Sequence, residues 1–285
     1  MTAPATTSTT APASLGGVAI LGPEQTALLK ELDGVFSGWA VSDGAREVIA
    51  PPLYPVSDLE KFDVYKNFPH LALTASPIDV AHLGDGPVAS RFASGQLQGA
   101  RYGLPHAACY GAYLFHEGSR LDADVLVTLV NRCFRNETHY DGLRRLMSFQ
   151  MREAVAIGAF DHTQQTLERF AERIAAFSDA LGLGLEKVPA TDPFFENTGA
   201  RALLAKLSPV KYEFQYGDLA IASVNTHRNF FGERCRITLP GSDETAFTSC
   251  AAFGLERWVA VLDEQYGGDL GKALDAVRGT ARQIG

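Results

Sequence analysis

Residues 148–158 alternate with period two. Phe149, Met151, Val155 and Ile157 fall on one face of a strand, and Glu153 stands in the middle of that face. The apolar positions commit this strand to a sheet packed on a core. The carboxylate then has to meet a cation, a metal or water, because an unpaired buried charge is costly. Any fold for the chain must satisfy both demands.

The flanking sequence supplies helices and further strands. Leu28, Leu29, Leu32, Val35 and Phe36 predict a helix over 23–38 with one buried stripe. A strand over 46–50 is stopped by Pro51-Pro52, which cannot donate to a ladder. Residues 109–115 read as a short strand. Val125, Leu126, Leu129 and Val130, with Asp122 ahead of them, predict a helix over 121–130. A strand over 133–137 joins 148–158 through a polar loop containing Asp141-Gly142. The clearest helix is 162–183, with a stripe of Leu167, Phe170, Ala171, Ile174, Phe177 and Leu181. Asp161 with Gln164 fits a capping box there, and Gly182 or Gly184 can end it. Strands over 211–216, 219–227 and 234–239 follow, with Gly217 and Gly232 in the turns. Helices over 253–264 and 270–284 close the chain. Strands cluster between helices without βαβ alternation, so the class is α+β with a mainly antiparallel sheet.

Composition narrows the function. The 285 residues are 46% apolar and 20% charged, enough for a sizeable core. No repeat or linker divides them, so one domain is expected over 16–285 behind a disordered tail, 1–15, which from Thr2 to Ser14 holds only Thr, Ala, Pro and Ser. The tail has neither basic nor apolar signal regions, and the expected location is cytoplasmic. A net charge of −8 disfavours a mainly electrostatic nucleic-acid binder. No apolar run is long enough for a membrane helix. The four cysteines show no C-x-x-C spacing, which argues against a zinc ribbon or thioredoxin-type site.

Three stretches carry more. Cys133-Phe134-Arg135-Asn136-Glu137, Leu143-Arg144-Arg145-Leu146 and Phe149-Gln150-Met151-Arg152-Glu153 together resemble motif 2 of class II aminoacyl-tRNA synthetases. Gly254-Leu255-Glu256-Arg257 resembles motif 3, and the helix from Pro23 with Arg46 and Pro51-Pro52 resembles motif 1. All three occur in order. From about Val48 onward the chain further resembles the amino acid:[carrier protein] ligases, truncated relatives of the zinc-dependent seryl-tRNA synthetases. Asn67-Phe68-Pro69-His70-Leu71, Ala108-Cys109-Tyr110, Asp192-Pro193-Phe194-Phe195 and Cys250 support this. The resemblance implies a class II synthetase-like catalytic domain, an antiparallel sheet flanked by helices. It also implies ATP-dependent activation of a small amino acid such as glycine or alanine, and its transfer to the phosphopantetheine thiol of an acyl or peptidyl carrier protein. Motif 1 implies a homodimer.

Arg135 and Glu137 are two apart in the predicted strand and so share a face. A guanidinium there suits the charge that builds on an attacked α-phosphate. The plain alternative is a surface ion pair. By resemblance, Glu137 contacts adenine, Phe149 stacks on it, Arg145 and Leu146 cover the nucleotide, and Arg257 holds the γ-phosphate. Ala220, Ile221, Ala222 and Ser223 form the strand beside it, with Asn225 just beyond. Mg²⁺ is expected to assist Arg135. The zinc ligands implied are Cys109, Glu153 and Cys250. They would leave a tetrahedral position open for the substrate amine, and they would explain the carboxylate on the apolar face. Cys133 and Cys235 are read as small buried hydrophobes. Asp192 and Phe194 fall in the implied substrate wall. A basic patch for an acidic carrier protein is sought at Arg201, Lys206 and Lys211, with Arg169 and Arg173 on the long helix equally well an ordinary solvated face. The seven histidines are treated as structural or surface residues.

Rival readings are a seryl-tRNA synthetase, a non-catalytic synthetase paralogue acting as a binding subunit, and a zinc hydrolase. The first would need a tRNA-binding arm, yet only about 45 residues precede the match, and the acidic charge gives no support to tRNA binding. The second has no need for Arg135, Glu137, Glu153 and Arg257 together. The third lacks an H-E-x-x-H helix.

Overall fold

A computed structural model describes residues 15–195 and 210–284. Its centre is a seven-stranded sheet in the order β1-β5-β6-β10-β9-β8-β7. The strands are β1 (Arg46–Glu47), β5 (Val125–Phe134), β6 (Ser148–Gly158), β7 (Glu186–Ala190), β8 (Lys211–Tyr216), β9 (Leu219–Arg228) and β10 (Phe247–Gly254). Only β1, at the edge, runs parallel to its neighbour β5; every other pair is antiparallel. A second sheet of β2 (Tyr54–Pro55), β3 (Leu73–Ala75) and β4 (Tyr102–Leu104) lies outside it.

Both faces of the large sheet are covered, because β6 is apolar on each. Ala154 and Ala156 turn towards α1 (Pro23–Ser42), α5 (Phe160–Ala180), α7 (Leu255–Gln265) and α8 (Leu270–Ile284), where Phe36, Phe170, Phe177, Phe253 and Trp258 form the centre of the core. Val155 and Ile157 turn the other way, onto α2 (Val56–Lys61), α4 (Tyr110–Phe115) and α6 (Phe230–Cys235). A further short helix, α3 (Val64–Asn67), follows α2. The small residues on the helix side let long helices lie close; the branched ones fill the opposite side. Among the described residues no helix is long and apolar enough to cross a membrane.

The α+β class and the antiparallel sheet are as expected, but several elements differ. Residues 121–130 are not a helix; 125–130 open β5, whose Val127 and Leu129 are fully buried. A strand covered on both faces is apolar at successive positions and loses its alternation. Residues 109–115 are not a strand but α4, with Cys109 as its cap. Gly111 lets this helix press on β5, since a Cβ there would lie 2.5 Å from Ala50 and 3.0 Å from Leu129. β5 ends at Phe134, so Arg135 and Glu137 lie on the chain leaving the sheet, not within a strand. The helix over 162–183 begins at Phe160 with Ala159 as its cap, and Asp161 is in its first turn instead of capping it. Residues 234–239 are not a strand: α6 occupies 230–235, and Gly232 is helical, packed too tightly on the Ala246 carbonyl for any side chain. β10 is not predicted: residues 247–252 are given no element and the helix predicted over 253–264 takes its last two residues, because Ser249, Cys250, Ala251 and Ala252 have little strand propensity of their own.

One ion-paired group ties the edge to the centre. Arg152 on β6 is 3% exposed and meets Asp33 of α1 at 2.7 and 2.9 Å and Glu47 of β1 at 2.8 Å. Replacing Arg152 by Met should keep the stem packing but strand Asp33. Urea unfolding should then show a loss of about 2–3 kcal/mol. Asp33→Asn should cost less, because Asp33 is a quarter exposed.

Candidate active site

Strand register brings the first group together. β6 and β10 pair with Val155 opposite Cys250 and Glu153 opposite Ala252. Glu153 and Cys250 are therefore diagonal neighbours on one face. The start of α4 lowers Cys109 onto the same point. One ligand atom from each of Cys109, Glu153 and Cys250 lies within 4.8 Å of the others, and all three residues are buried. Glu153 Oε1 accepts the Ala108 N–H at 2.9 Å, whereas Oε2 is buried with no hydrogen-bond partner.

The electrostatics of this cluster are unfavourable without a cation. Burial pushes the Glu153 carboxyl above its ordinary range. The Cys109 thiol, bonded to Cys250 and buried, is held well above its usual value. Cys250 is drawn down by Cys109, but burial and the Glu153 charge outweigh that, and its thiol is also raised. Two thiols and one carboxylate, one oxygen of it orphaned, form a donor set that suits zinc and leaves a fourth position for another ligand. The residues present fit such an ion.

The second group lies where β5 and β6 separate. Arg135, Glu137, Leu143, Arg144, Leu146, Phe149, Gly254, Glu256 and Arg257 line one pocket. The Arg135 guanidinium packs 5.1 Å from the centre of the Phe149 ring and donates twice to the His106 carbonyl, at 3.2 and 3.1 Å. Glu137 pairs with Arg145 at 2.8 Å, not with Arg135. Arg257 donates to the carbonyls of Arg144 and Ala220 at 3.0 and 2.8 Å. Burial, then Arg135 and Arg145, depress its guanidinium to about 10. Arginines crowded enough to depress Arg257 make a site prepared for anions. Ala220 reaches the pocket through its carbonyl. Ile221 and Ala222 are buried in the helix-side core, and Ser223 accepts from Asn225 at 3.1 Å.

Between the two groups lie residues from three loops and strands. Asp192 bonds Lys211 at 3.0 Å, and that ammonium overrides burial to keep the Asp192 carboxyl low. Phe194 stacks on Phe68 with ring centres 5.2 Å apart, and Phe68 packs on His106. Lys211 also meets Glu213 at 3.3 Å, so it is engaged inside the site and is not part of a docking patch. Arg169 and Arg173 both hold Asp43 at the end of α1 and are structural. Arg201 and Lys206 lie outside the described residues.

Two histidines belong to the site, contrary to their sequence reading. His106 bonds the Tyr110 hydroxyl at 2.9 Å, and burial, with Arg135 nearby, lowers its pKa to about 3. His227 bonds the Tyr113 hydroxyl at 3.0 Å and approaches Cys250 Sγ at 3.8 Å; burial lowers it to about 4. Neither shows the close His–His spacing of a finger-type site. The available signal for His227 was its place two residues beyond Asn225, on the same face of β9.

No family model matches the chain. It is 31% identical over 243 residues to amino acid–[acyl-carrier-protein] ligase 1 of Bradyrhizobium diazoefficiens, covering 80% of this chain and 73% of that protein. Ligase 2 of the same organism is 32% identical over 244 residues, covering 80% and 72%. The type-2 serine–tRNA ligase of Methanocaldococcus jannaschii is 27% identical over 188 residues, covering 60% and 36%. Among solved structures, the M. kandleri SerRS crystallised with A. aeolicus tRNASec superposes with a TM-score of 0.75 at 22% identity, over 90% of this chain and 54% of that one. Seryl-tRNA synthetase from Pyrococcus horikoshii, complexed with ATP, gives 0.65 at 15%, over 86% and 52%. The chain thus spans about half of each of those synthetases.

The fold is that of a class II aminoacyl-tRNA synthetase catalytic domain. Within that class, the identity to the two Bradyrhizobium proteins shows that this chain belongs to the amino acid–[acyl-carrier-protein] ligases.

The orphaned carboxylate gives a test independent of activity. In chelator, Glu153→Gln removes a buried charge and keeps the Ala108 contact, so it should stabilise the protein by about 1–3 kcal/mol in thermal melts. Added zinc should raise the melting temperature of the parent but not that of the variant.

Proposed function

We propose that this chain uses ATP to activate a small amino acid as its adenylate and passes the acyl group to the phosphopantetheine thiol of a carrier protein. The observation that carries this is the physical join between the two groups of the site. Arg135 grips the carbonyl of His106, and two residues on the Ala108 N–H holds Glu153. A ligand bridging the arginine pocket and the Cys/Glu/Cys cluster would therefore have its two ends set by one short loop.

Cys109, Glu153 and Cys250 would hold zinc, which when bound supplies a Lewis acid able to fix a substrate amine. Adenine stacks on Phe149, beside Glu137, while Arg145 and Leu146 close over it. Arg257 takes the outer phosphates; ATP brings its own Mg²⁺. Arg135 faces the α-phosphate and stabilises charge as the amino acid carboxylate forms an O–P bond there and pyrophosphate departs. Asp192, held by Lys211, and Phe194, stacked on Phe68, bound the side-chain end of the pocket. The carrier thiol then attacks the acyl carbon, and AMP leaves with the bonding electrons. On this reading a homodimer forms through the motif 1 segment, and the 97% exposure of Ile49, just past β1, supports it. The four free cysteines agree with a reducing cytoplasm.

Amino-acid-dependent ATP–pyrophosphate exchange, over a panel of small and non-protein amino acids, tests the first half. Exchange is expected with one of them, and Arg135→Ala should lower it by about 10²–10³. Thioester formation on a holo but not an apo carrier protein tests the second. A zinc-loaded, folded chain that exchanges with no amino acid would favour a non-catalytic paralogue.

A further inference from the structure

The cluster has a second layer of contacts on β9 that the proposed reaction does not use. Asn225 stands directly opposite Cys250 in the β9–β10 ladder. Its Nδ2 donates to Cys250 Sγ at 3.3 Å and to Ser223 Oγ at 3.1 Å. One step along, the ladder breaks register: Ser249 faces Thr226 and Thr248 faces Arg228, so His227 is the extra residue of a bulge. The bulge turns with Arg228 at φ 54°. His227 Nε2 then lies 3.8 Å from Cys250 Sγ, and Nδ1 lies 3.0 Å from the Tyr113 hydroxyl. The imidazole is wedged edge-on against Phe231, with ring centres 4.9 Å apart.

His227 is not itself a member of the donor set. Among the described residues only Cys109, Glu153 and Cys250 bring their ligand atoms within 4.8 Å of one another. Its role must then act through Cys250. With the Tyr113 O–H donating to Nδ1, the proton of the neutral ring sits on Nε2 and faces the sulfur. Asn225 presents a second N–H from the neighbouring strand. Two donors converging on one sulfur suit a thiolate and not a thiol, because a thiolate accepts without competing as a donor.

We infer that Asn225 and His227, with Tyr113 set behind the imidazole, are positioning residues that hold Cys250 as an oriented thiolate ligand. This rests on the reading of Cys109, Glu153 and Cys250 as a zinc centre. Such supporting partners fix the direction of the ligand and tune its charge, and their loss commonly costs 10–100-fold in metal affinity.

The test is metal binding by the full chain. Zinc affinity is measured by competition with a chromogenic chelator, and the cobalt-substituted protein reports the sulfur-to-metal charge-transfer band. Asn225→Ala and His227→Phe should each weaken zinc binding by about 10–100-fold and shift that band. His227→Phe keeps a ring against Phe231, so a packing role alone would leave both readouts unchanged. His227→Gln, which restores an N–H, should recover most of the affinity. Asn225→Ser serves in place of Asn225→Ala if circular dichroism shows the alanine variant unfolded. Wild-type affinity and an unshifted band in both Asn225→Ala and His227→Phe would overturn the inference. A parent protein that binds no zinc would instead overturn the metal reading beneath it.

Discussion

The buried carboxylate of Glu153 governs the design of this protein. It sits on the central β6, 1% exposed, with one oxygen on the Ala108 N–H and the other unpartnered. Its neighbours are one backbone N–H and two thiols, with no cationic side chain to offset the desolvation of that charge among the described residues. Two sulfur atoms from opposite directions, one on β10 and one at the cap of α4, complete a donor set. The surrounding structure holds these donors ready at the expense of the stability an apolar residue would give.

Its neighbour in sequence has the opposite fate. Arg152 points to the other face of β6 and is neutralised by Asp33 and Glu47. Adjacent residues of a strand thus carry opposite charges into opposite sides of one sheet. The arginine joins the edge strand and α1 to the centre, while the glutamate serves the cluster. Thr128 reinforces this pairing from β5, donating to the Glu153 carbonyl at 3.0 Å and accepting from Arg152 at 3.3 Å.

Elements whose side-chain pattern reflects one buried face were readable. The helix at 23–38, the long stripe of α5 and strands β8 and β9 follow their periodicity, and β6, though covered on both faces, stayed legible because its large residues alternate with Ala154 and Ala156. Those decided by tertiary surroundings were not. β5 is covered on both faces and looks helical in spacing; β10 is built from small residues; α4 and α6 are single short helices whose glycines permit close approach. For the candidate site, charged residues within the motifs announced themselves, and Arg135, Glu137, Phe149 and Arg257 do converge on one pocket. His106 and His227 did not: His106 is placed by a loop, and for His227 the spacing from Asn225 was a weak signal because a β-bulge, set by backbone geometry, decides where the ring ends up.

Under the proposed function, the two ends of the substrate pocket differ in how they are built. The cluster end is formed by adjacent strands in fixed register and by a helix pressed on Gly111. The Asp192–Phe194 segment is short and irregular, held by the Lys211 ion pair, the Phe68 stack and the backbone bond from Phe195 to Asn67. Substitutions there disturb no ladder and little of the core. Related enzymes of this architecture can therefore diverge in the acid they select while the reacting centre stays unchanged, because the variable boundary and the invariant chemistry are carried by mechanically separate parts of the chain.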